Sequence, residues 1–180
     1  MKLVRLGPDE IFHRFLTPKW AFRPTSGAGA AIRGGRFNRP GVEALYLSRT
    51  PQTALEEYRQ GASIAPPATL AAYRVTLDEV VDLSDGYDPD LWSEAWGEWD
   101  GPWKEIARIH GSTPPSWRLG ENLIAEGRRT LLFPSLRHAG GVNLVFFTAL
   151  LADADLIVVH DPDGLLPRDQ SSWTDRPADN

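Results

Sequence analysis

The residues best suited to chemistry are concentrated in the first third of the chain. Between residues 11 and 42 there is no acidic residue, although the whole protein carries a net charge of -5. The same interval contains six cations: Arg14, Lys19, Arg23, Arg33, Arg36 and Arg39. Guanidinium groups match phosphate oxygens in a bidentate geometry, so this interval suits a phosphorylated ligand. A solvated basic loop is the alternative that charge alone leaves open.

Glycines interrupt the basic interval and could let a ligand approach the backbone. Gly27, Gly29, Gly34 and Gly35 permit left-handed conformations that other residues resist. Their spacing does not match the G-x-G-x-x-G loop of dinucleotide-binding folds, because Ile32 occupies the position of the third glycine. No G-x-x-x-x-G-K-[ST] loop is present either. Phosphate binding would therefore depend on the arginines.

A strand and a helix are predicted directly after the glycines. Residues 43–48 form a short apolar run that ends in Ser48 and is typical of a buried strand. Thr50 and Pro51 then indicate a helix start, with Thr50 as the N-cap and Pro51 at the first helical position.

Two adjacent carboxylates, Glu56 and Glu57, lie on this predicted helix. Ala54, Glu57 and Tyr58 share one helical face, because residues three and four apart are neighbours on a helix surface. Glu56 and Glu57 therefore point in different directions, so that one of them could face a cleft while the other faces water.

Other common catalytic arrangements find little support in the sequence. The chain has no cysteine, which excludes a thiol nucleophile and a cysteine zinc site. The histidines lack metal-ligand spacing, so we predict that no metal is bound. They are His13, His110, His138 and His160. A Ser-His-Asp hydrolase could use Ser48 or Ser135, but no G-x-S-x-G motif is present.

Length and composition indicate one domain with its own core. The chain has 180 residues, of which 42% are hydrophobic. Its start has no apolar secretory segment, and its longest apolar run, residues 144–152, is far shorter than the ~20 residues of a membrane helix. The acidic net charge argues against a general nucleic-acid binder. We therefore expect a cytoplasmic protein that binds neither membrane nor nucleic acid directly.

The remaining pattern predicts an α+β protein. Residues 1–18, 70–77, 80–83 and 128–133 are strand-forming, and residues 143–150 and 156–160 are candidates for strands or short helices. A helix over residues 117–126 has Ser116 as its candidate N-cap and Gly127 as its candidate C-cap.

Four tryptophans recur at helical spacing in the middle of the chain: Trp92, Trp96, Trp99 and Trp103. Gly101 and Pro102 must break or kink any helix there. An apolar stripe of helical period normally packs onto the core. The alternative is a partner-binding or dimer surface, because tryptophan is enriched in interface hot spots.

Six motifs follow one another along the chain. They are His13-Arg14, Gly-Ala-Gly-Ala at residues 27–30, Gly-Gly-Arg-Phe-Asn at residues 34–38 with Gly41, Tyr46-Leu47-Ser48, Thr-Ala-Leu-Glu-Glu at residues 53–57, and Pro134-Ser135 with Asn143. In this order they resemble the RES domain toxins of RES-Xre toxin-antitoxin pairs. The resemblance covers residues 1–167, which we expect to form one RES domain, followed by a polar, disordered tail at residues 168–180.

This resemblance implies a fold, a substrate and a set of site residues. RES toxins are similar to ADP-ribosyltransferases, which implies mixed or antiparallel central sheets flanked by helices around a cleft for NAD+. Members consume NAD+ by hydrolysis, phosphorolysis or ADP-ribosyl transfer. Carried over motif by motif, the catalytic residues would be Arg36, Tyr46 and Glu57. The substrate-binding residues would be Arg14, Gly34, Gly35, Asn38, Ser48, Ser135 and Asn143.

The residue types suit cleavage of the glycosidic bond to nicotinamide. A carboxylate such as Glu57 stabilises the sugar cation that forms as this bond breaks, and it can hold the ribose hydroxyls. The arginines would clamp the pyrophosphate, and Tyr46 would stack on the nicotinamide ring.

The resemblance also implies a cognate Xre-type antitoxin that blocks the cleft. The expected assembly is then a toxin-antitoxin hetero-oligomer or a homodimer, and delivery as a secreted effector is an alternative to a cytoplasmic role. A different class of function also stays open. In it, a non-catalytic module binds a nucleotide or an acidic partner in the same cleft and uses the tryptophans as an interface.

Overall fold

Six strands and four α-helices lie within residues 1–171, which a computed structural model describes. The strands are β1 (Leu3–Leu16), β2 (Ala44–Ser48), β3 (Thr69–Asp82), β4 (Thr130–Pro134), β5 (Val142–Phe147) and β6 (Leu156–Val159). The α-helices are α1 (Ala28–Arg33), α2 (Pro51–Arg59), α3 (Trp103–Arg108) and α4 (Pro115–Ala125). No helix within these residues is long and apolar enough to cross a membrane. Most of the predicted tail, residues 172–180, lies outside the described residues.

All six strands belong to one mixed sheet with the order β1-β2-β5-β4-β3-β6. Because β1 also pairs with β3, five of the strands form a closed hydrogen-bonded ring, and β6 extends from β3. The pairings are antiparallel except for that of β3 with β4. β1 and β2 share a single register pair, His13 with Ser48. The predicted α+β class with a mixed sheet is confirmed.

The sheet is buried on both faces by different hydrophobic clusters. Leu45, Leu47 and Leu144 point to one face and join a cluster that also includes Phe12 and Tyr73. Their neighbours along β2 and β5 point to the other face, where a second cluster gathers three tryptophans, Phe37, Phe133, Val145 and Phe147. Successive side chains of a strand alternate between faces, which explains why one apolar run supplies both clusters.

Local signals placed several element ends correctly. Thr50 caps α2, since its Oγ1 accepts a hydrogen bond from the Thr53 amide at 3.1 Å, and Pro51 is the first helical residue. The C-cap of α4 is Glu126 rather than the predicted Gly127, which follows it with a φ of 71°. Except for Leu83, the runs predicted at residues 70–77 and 80–83 belong to the single strand β3, which continues past Glu79 although this residue takes a left-handed conformation with φ of 56°.

The prediction of Ser116 as an N-cap is wrong. The helix α4 begins at Pro115 with Pro114 as its N-cap, so Ser116 lies inside the first turn. Proline is favoured at the first helical position because its fixed φ suits the helix and its missing N–H is not needed there. The Ser116 side chain is buried, and its hydroxyl has no hydrogen-bond partner among the described residues.

The tryptophan stripe packs onto the core but not as one helix. Trp92, Trp96 and Trp99 are each at most 6% exposed and join the second cluster around a 3-10 turn at Glu94–Glu98. Trp103 begins α3 after the predicted break at residues 101–102. The core-packing interpretation is therefore confirmed for Trp92, Trp96 and Trp99, whereas Trp103 belongs to neither cluster and lies on the wall of a cleft.

The helix α4 lies against the loop that precedes β2. A Cβ atom added to Gly120 would meet the Phe37 carbonyl oxygen at 1.8 Å. This contact holds the loop of residues 34–38 close to the helix, so a glycine is required at position 120.

We expect Gly120→Ala to lower the free energy of unfolding by at least about 1–3 kcal/mol, because the added methyl forces the helix and the loop apart. Urea denaturation followed by circular dichroism measures the change. Gly29→Ala is the matched control, since nothing lies within 4 Å of a Cβ at this helical glycine. It should stabilise by about 0.5–1 kcal/mol. Equal midpoints for Gly120→Ala and the wild type would contradict the packing argument.

Candidate functional site

One cleft of about 720 Å³ gathers most of the predicted site residues. Residues of the four strands β1, β2, β4 and β5 line it, together with α1, α2, α3, the loop of residues 34–36 and the loop that follows β4. Predicted residues on its wall are Arg14, Gly34, Gly35, Arg36, Tyr46, Ser48, Glu57 and Asn143. Ser135 lies directly behind Glu57, whereas Asn38 lies behind Tyr46 and is not a lining residue.

Glu57 faces the cleft, and one of its carboxylate oxygens is firmly held. Oε1 accepts hydrogen bonds from Ser135 Oγ and from Asn143 Nδ2, both at 2.7 Å. Asn143 is held in turn, because its Oδ1 accepts from Ser48 Oγ at 2.7 Å. Glu57 Oε2 accepts no hydrogen bond from the described residues. The arrangement fixes the carboxylate and leaves one oxygen for a ligand.

Glu56, the neighbouring carboxylate, points away from the cleft. Its Oε1 accepts from Gln52 Nε2 at 3.1 Å and from Arg59 Nη1 at 3.2 Å, both on the surface of α2. The helical spacing predicted that only one of the two glutamates would face a cleft, and the structure shows that it is Glu57.

The loop after β4 forces the Ser135 hydroxyl toward Glu57. Ser135 Oγ accepts hydrogen bonds from the amides of Arg137 at 3.1 Å and of His138 at 3.0 Å. A hydroxyl has a single proton, and here the remaining acceptor is the Glu57 carboxylate. The loop closes on itself, since the Ser135 amide donates to the Gly141 carbonyl at 2.8 Å.

Three further residues, which the sequence motifs did not single out for the site, hold this loop against α2. Thr53 Oγ1 lies 2.9 Å from His138 Nδ1 and 2.8 Å from Thr50 Oγ1. Gly141 closes over the same hydroxyl, and a Cβ there would lie 2.6 Å from Thr53 Oγ1. The Thr53 contact therefore joins the helix that carries Glu57 to the loop that carries Ser135.

Tyr46 places its ring on the cleft wall and uses its hydroxyl for structure. The hydroxyl donates to Asn38 Oδ1 at 2.8 Å and accepts from the Phe37 amide at 3.0 Å. Burial raises the pKa of this hydroxyl, so it stays protonated at physiological pH. Gly35 must be a glycine, because a Cβ there would lie 2.5 Å from the Tyr46 hydroxyl oxygen.

The buried side chain of Asn38 hydrogen-bonds to the backbone on either side of the loop of residues 34–38. Its Nδ2 donates to the carbonyls of Ala30 at 3.0 Å and Val42 at 2.8 Å. The residue is 2% exposed, so its amide organises the wall on which Tyr46 and Gly35 lie. Direct binding of a ligand by Asn38 stays a prediction.

Arg36 is half-buried and bound by backbone carbonyls rather than by a carboxylate. Its Nη1 donates to Trp99 O at 3.1 Å and Gly101 O at 3.0 Å, and its guanidinium carbon lies 5.9 Å from the centre of the Trp99 ring. Burial lowers the pKa of Arg36, and the negative charge of Glu57 opposes this effect. The other guanidinium nitrogens donate to no described residue and are available to an anion.

Arg14 enters the cleft from a different wall. Its Nη1 donates to the carbonyls of Pro24 at 3.3 Å and Ser26 at 3.0 Å. The Tyr73 hydroxyl donates to the same Pro24 carbonyl at 2.7 Å, and burial raises the pKa of Tyr73 to about 12. Burial lowers the pKa of Arg14. Arg14 and Arg36 thus line one cleft but are positioned by separate segments.

The cleft carries an excess of positive charge. Six arginine and lysine side chains line it, against the two carboxylates Glu57 and Glu105. None of the six takes part in the ion pairs found within residues 1–171. The cations that lack a motif signal come from α3 and from the loop after Ser135: Lys104, Arg108 and Arg137. In the described residues, no group of three or more histidine, aspartate or glutamate side chains could hold a metal ion.

We expect Thr53→Val to lower the free energy of unfolding by about 0.5–1.5 kcal/mol, because it removes the hydrogen bonds that the buried Thr53 hydroxyl makes with His138 Nδ1 and Thr50 Oγ1. Thr53→Ser keeps the hydroxyl and is the matched control. Urea denaturation of the full chain measures both. If the valine and serine variants lose equal stability, the hydroxyl does not join α2 to the loop.

Comparisons with known proteins agree with this architecture. No curated protein shows significant similarity to the chain. Among solved structures, the chain is similar to a protein in the crystal structure of the M. tuberculosis MbcT-MbcA toxin-antitoxin complex, with a TM-score of 0.54 and 22% sequence identity. The alignment covers 86% of this chain and 84% of that chain, and this likeness shows the fold. The model of the RES domain matches residues 11–169. The chain therefore belongs to the RES domain family.

Proposed function

We propose that the protein is a toxin that depletes NAD+ by cleaving the bond between nicotinamide and ribose. The single observation that carries this proposal is the state of Glu57. One carboxylate oxygen is fixed by Ser135 and Asn143, and the other is unengaged in a cleft whose cations have no carboxylate partners. Membership of the RES domain family supports the same function.

Cleavage of the bond between nicotinamide and ribose requires a negative charge beside the ribose, where positive charge develops. As the bond breaks, its electron pair leaves with nicotinamide, which becomes neutral, and the ribose becomes a cation. The Glu57 carboxylate stabilises that cation and accepts hydrogen bonds from the ribose hydroxyls through Oε2. Because Oε1 is already saturated, little reorganisation is needed when the charge develops, which is the condition for electrostatic catalysis.

The remaining cleft residues bind and orient the substrate. Arg14 and Arg36 approach from two walls, which suits a pyrophosphate that needs donors on more than one side. The ring of Tyr46 offers a flat apolar surface to nicotinamide. The Tyr46 hydroxyl does not act as a base, since it is protonated and already hydrogen-bonded. The acceptor of the ADP-ribosyl group is water or phosphate in this proposal.

We also propose a protein antitoxin of Xre type as the partner. The structural neighbour is described as a toxin-antitoxin complex, and its fold is shared over most of both chains. The uncompensated cations at the cleft suit an acidic segment of such a partner. ADP-ribosyl transfer to a protein is the alternative enzyme activity, and nucleotide binding without turnover is the alternative without catalysis.

We expect Glu57→Gln to reduce nicotinamide release from NAD+ by at least about 100-fold, because the variant removes the charge that stabilises the ribose cation. Release is measured by chromatography with purified protein, in buffer with and without phosphate. Glu56→Gln is the matched control, since this neighbouring carboxylate is bound to Gln52 and Arg59 outside the cleft.

The controls separate the candidate functions. Activity in a well-folded Glu57→Gln variant would refute the assignment of Glu57. Binding of NAD+ by the wild type without nicotinamide release would favour the non-catalytic module. Release that requires an added protein acceptor would identify a transferase.

We expect Arg36→Ala to raise the KM for NAD+ by about tenfold or more, because a charge-assisted bidentate contact with the pyrophosphate is lost. Steady-state kinetics measure the effect, and a thermal melt checks that the loss of the carbonyl contacts has not unfolded the loop. An unchanged KM in a folded variant would show that Arg36 does not bind the substrate.

A further inference from the structure

His13 lies where two strands of the sheet part, and the proposed mechanism leaves its side chain without a role. It forms the single register pair between β1 and β2, opposite Ser48. Beyond this pair β1 continues along β3, and β2 continues along β5. The cleft opens at this fork, since residues 13–15 of β1 and 46–48 of β2 line it. His13 is therefore a wall residue at the point where the cleft begins.

The side chain of His13 points to the face of the sheet on which α2 packs. Its neighbour Phe12 is buried in the first hydrophobic cluster, and successive side chains of a strand point to opposite faces. Phe15 shares the face of His13 and stacks on Tyr58 of α2, with ring centres 5.7 Å apart. The imidazole is thus on the same face as the helix that carries Glu57.

Two residues of the proposed site are neighbours of His13 on β2. Ser48, its register partner, donates to Asn143, which in turn donates to Glu57. Tyr46 lies two residues before Ser48 and is the diagonal neighbour of His13. Cβ atoms of diagonal neighbours are about 7–8 Å apart in a regular pair of strands, which is within reach of aromatic side chains. Because the strands part here, the space between the two side chains belongs to the cleft that both line.

The two ring nitrogens of His13 have different surroundings. Nδ1 is buried and has no hydrogen-bond partner among the described residues, whereas Nε2 also lacks a partner but is not buried. A buried N–H without an acceptor is rarer in proteins than a buried acceptor without a donor, so we assign the proton to Nε2. His13 then presents one hydrogen-bond donor to the cleft. A buried nitrogen without a partner lowers stability, and such groups are expected where function maintains them.

The charges around this donor favour a neutral acceptor. Glu57, on the same face of the sheet, would repel an anionic acceptor such as a carboxylate. Arg14 and Arg36, which attract anions, are held by backbone carbonyls on other walls of the cleft. A carbonyl oxygen on a flat ring meets these conditions, and the carboxamide of nicotinamide carries such an oxygen.

We propose that His13 recognises the leaving group, because its Nε2–H donates a hydrogen bond to the carboxamide oxygen of a nicotinamide ring stacked on Tyr46. The inference rests on the proposed function of the cleft and adds to it a residue that selects the base. His13 is then a specificity-determining residue that touches the substrate on the side opposite to the ribose.

This hydrogen bond contributes to the reaction as well as to binding. When the C1′–N bond breaks, its electron pair passes to the pyridine nitrogen, and the ring changes from a cation to a neutral base. The carboxamide oxygen thereby becomes a better acceptor, so the hydrogen bond is stronger in the transition state than in the bound substrate. The His13 proton stays on Nε2 throughout, and the acceptor of the ADP-ribosyl group is unchanged.

The test uses three dinucleotides that differ only in the substituent on the pyridine ring. NAD+ carries a carboxamide, the acetylpyridine analogue keeps the carbonyl but lacks the amide nitrogen, and the pyridine analogue carries no substituent. They are given to the full-length wild type and to His13→Leu, which has no donor. His13→Gln keeps a donor at a similar reach. His160→Leu is the matched control, at an exposed histidine that does not line the cleft.

We expect His13→Leu to lower kcat/KM for release of the base by about tenfold or more with NAD+ and with the acetylpyridine analogue, because a hydrogen bond to the carbonyl is lost in the transition state. With the pyridine analogue the same variant should match the wild type. His13→Gln should retain more activity on NAD+ than His13→Leu does, and His160→Leu should match the wild type with all three dinucleotides. His13→Leu should melt no lower than the wild type, since it removes a buried nitrogen without a partner.

An equal loss with all three dinucleotides would refute the contact, because His13 would then only support the shape of the cleft. Unchanged kinetics of His13→Leu with NAD+, or equal losses in the leucine and glutamine variants, would refute it as well. If the wild type releases no base, the proposed function fails, and calorimetric binding of the same dinucleotides decides the contact instead. A loss of affinity in His13→Leu that is confined to the two dinucleotides with a carbonyl would support the contact, and any other pattern would refute it.

Discussion

The cleft depends on how the Glu57 carboxylate is held. A half-buried carboxylate needs hydrogen-bond donors in fixed positions, because leaving it without partners away from water is unfavourable. Asn143 and Ser135 provide two such donors at 2.7 Å. Each donor is itself held, Asn143 by Ser48 and Ser135 by the amides of its own loop. The position of one oxygen atom is thus set jointly by two strands, a helix and a loop.

Sheet register makes this arrangement possible. Ser48 pairs with His13 of β1 on one side and with Asn143 of β5 on the other, and Asn143 also pairs with Phe133 of β4. Four strands therefore contribute residues at one level of the sheet. A slip of one residue would turn Ser48 and Asn143 to the opposite face. The apolar side chains that alternate with them are buried in the core, so the packing that stabilises the fold also aligns the site.

The aromatic cluster performs a similar task for the arginine wall. Trp99 stacks on Phe37 and offers its carbonyl to Arg36, while Trp117 Nε1 donates to the Gly35 carbonyl at 2.7 Å. Core packing thereby supports a group of cations that repel one another and have no carboxylate partners. Unpaired like charges destabilise a fold, and they are expected at functional sites, where the packing of neighbouring residues compensates for them.

The sequence alone determined the features that depend on neighbours along the chain. The α+β class, the unit of β2 and α2, and the cap at Thr50 follow from an apolar run, a Thr-Pro start and helical spacing. The same spacing showed that Glu56 and Glu57 must diverge. The motifs also identified eight residues of the cleft wall. Most of these residues lie close together in the sequence, and contacts such as the close approach of Gly35 to Tyr46 form within one short stretch.

Only the tertiary structure decided how distant residues meet. Glu57 and Asn143 are 86 positions apart, and Thr53 and His138 are 85 positions apart. No periodicity relates such pairs, so the roles of Thr53, His138 and Gly141 were not predicted. The structure also showed that the Asn38 amide donates to carbonyls of its own loop, while the predicted contact of Asn38 with a ligand stays a prediction. Lys104, Arg108 and Arg137 belong to segments without a motif, and their common position depends on how α3 and the loop after β4 pack beside α2. A sequence records which charges exist, whereas packing decides which of them share a cleft.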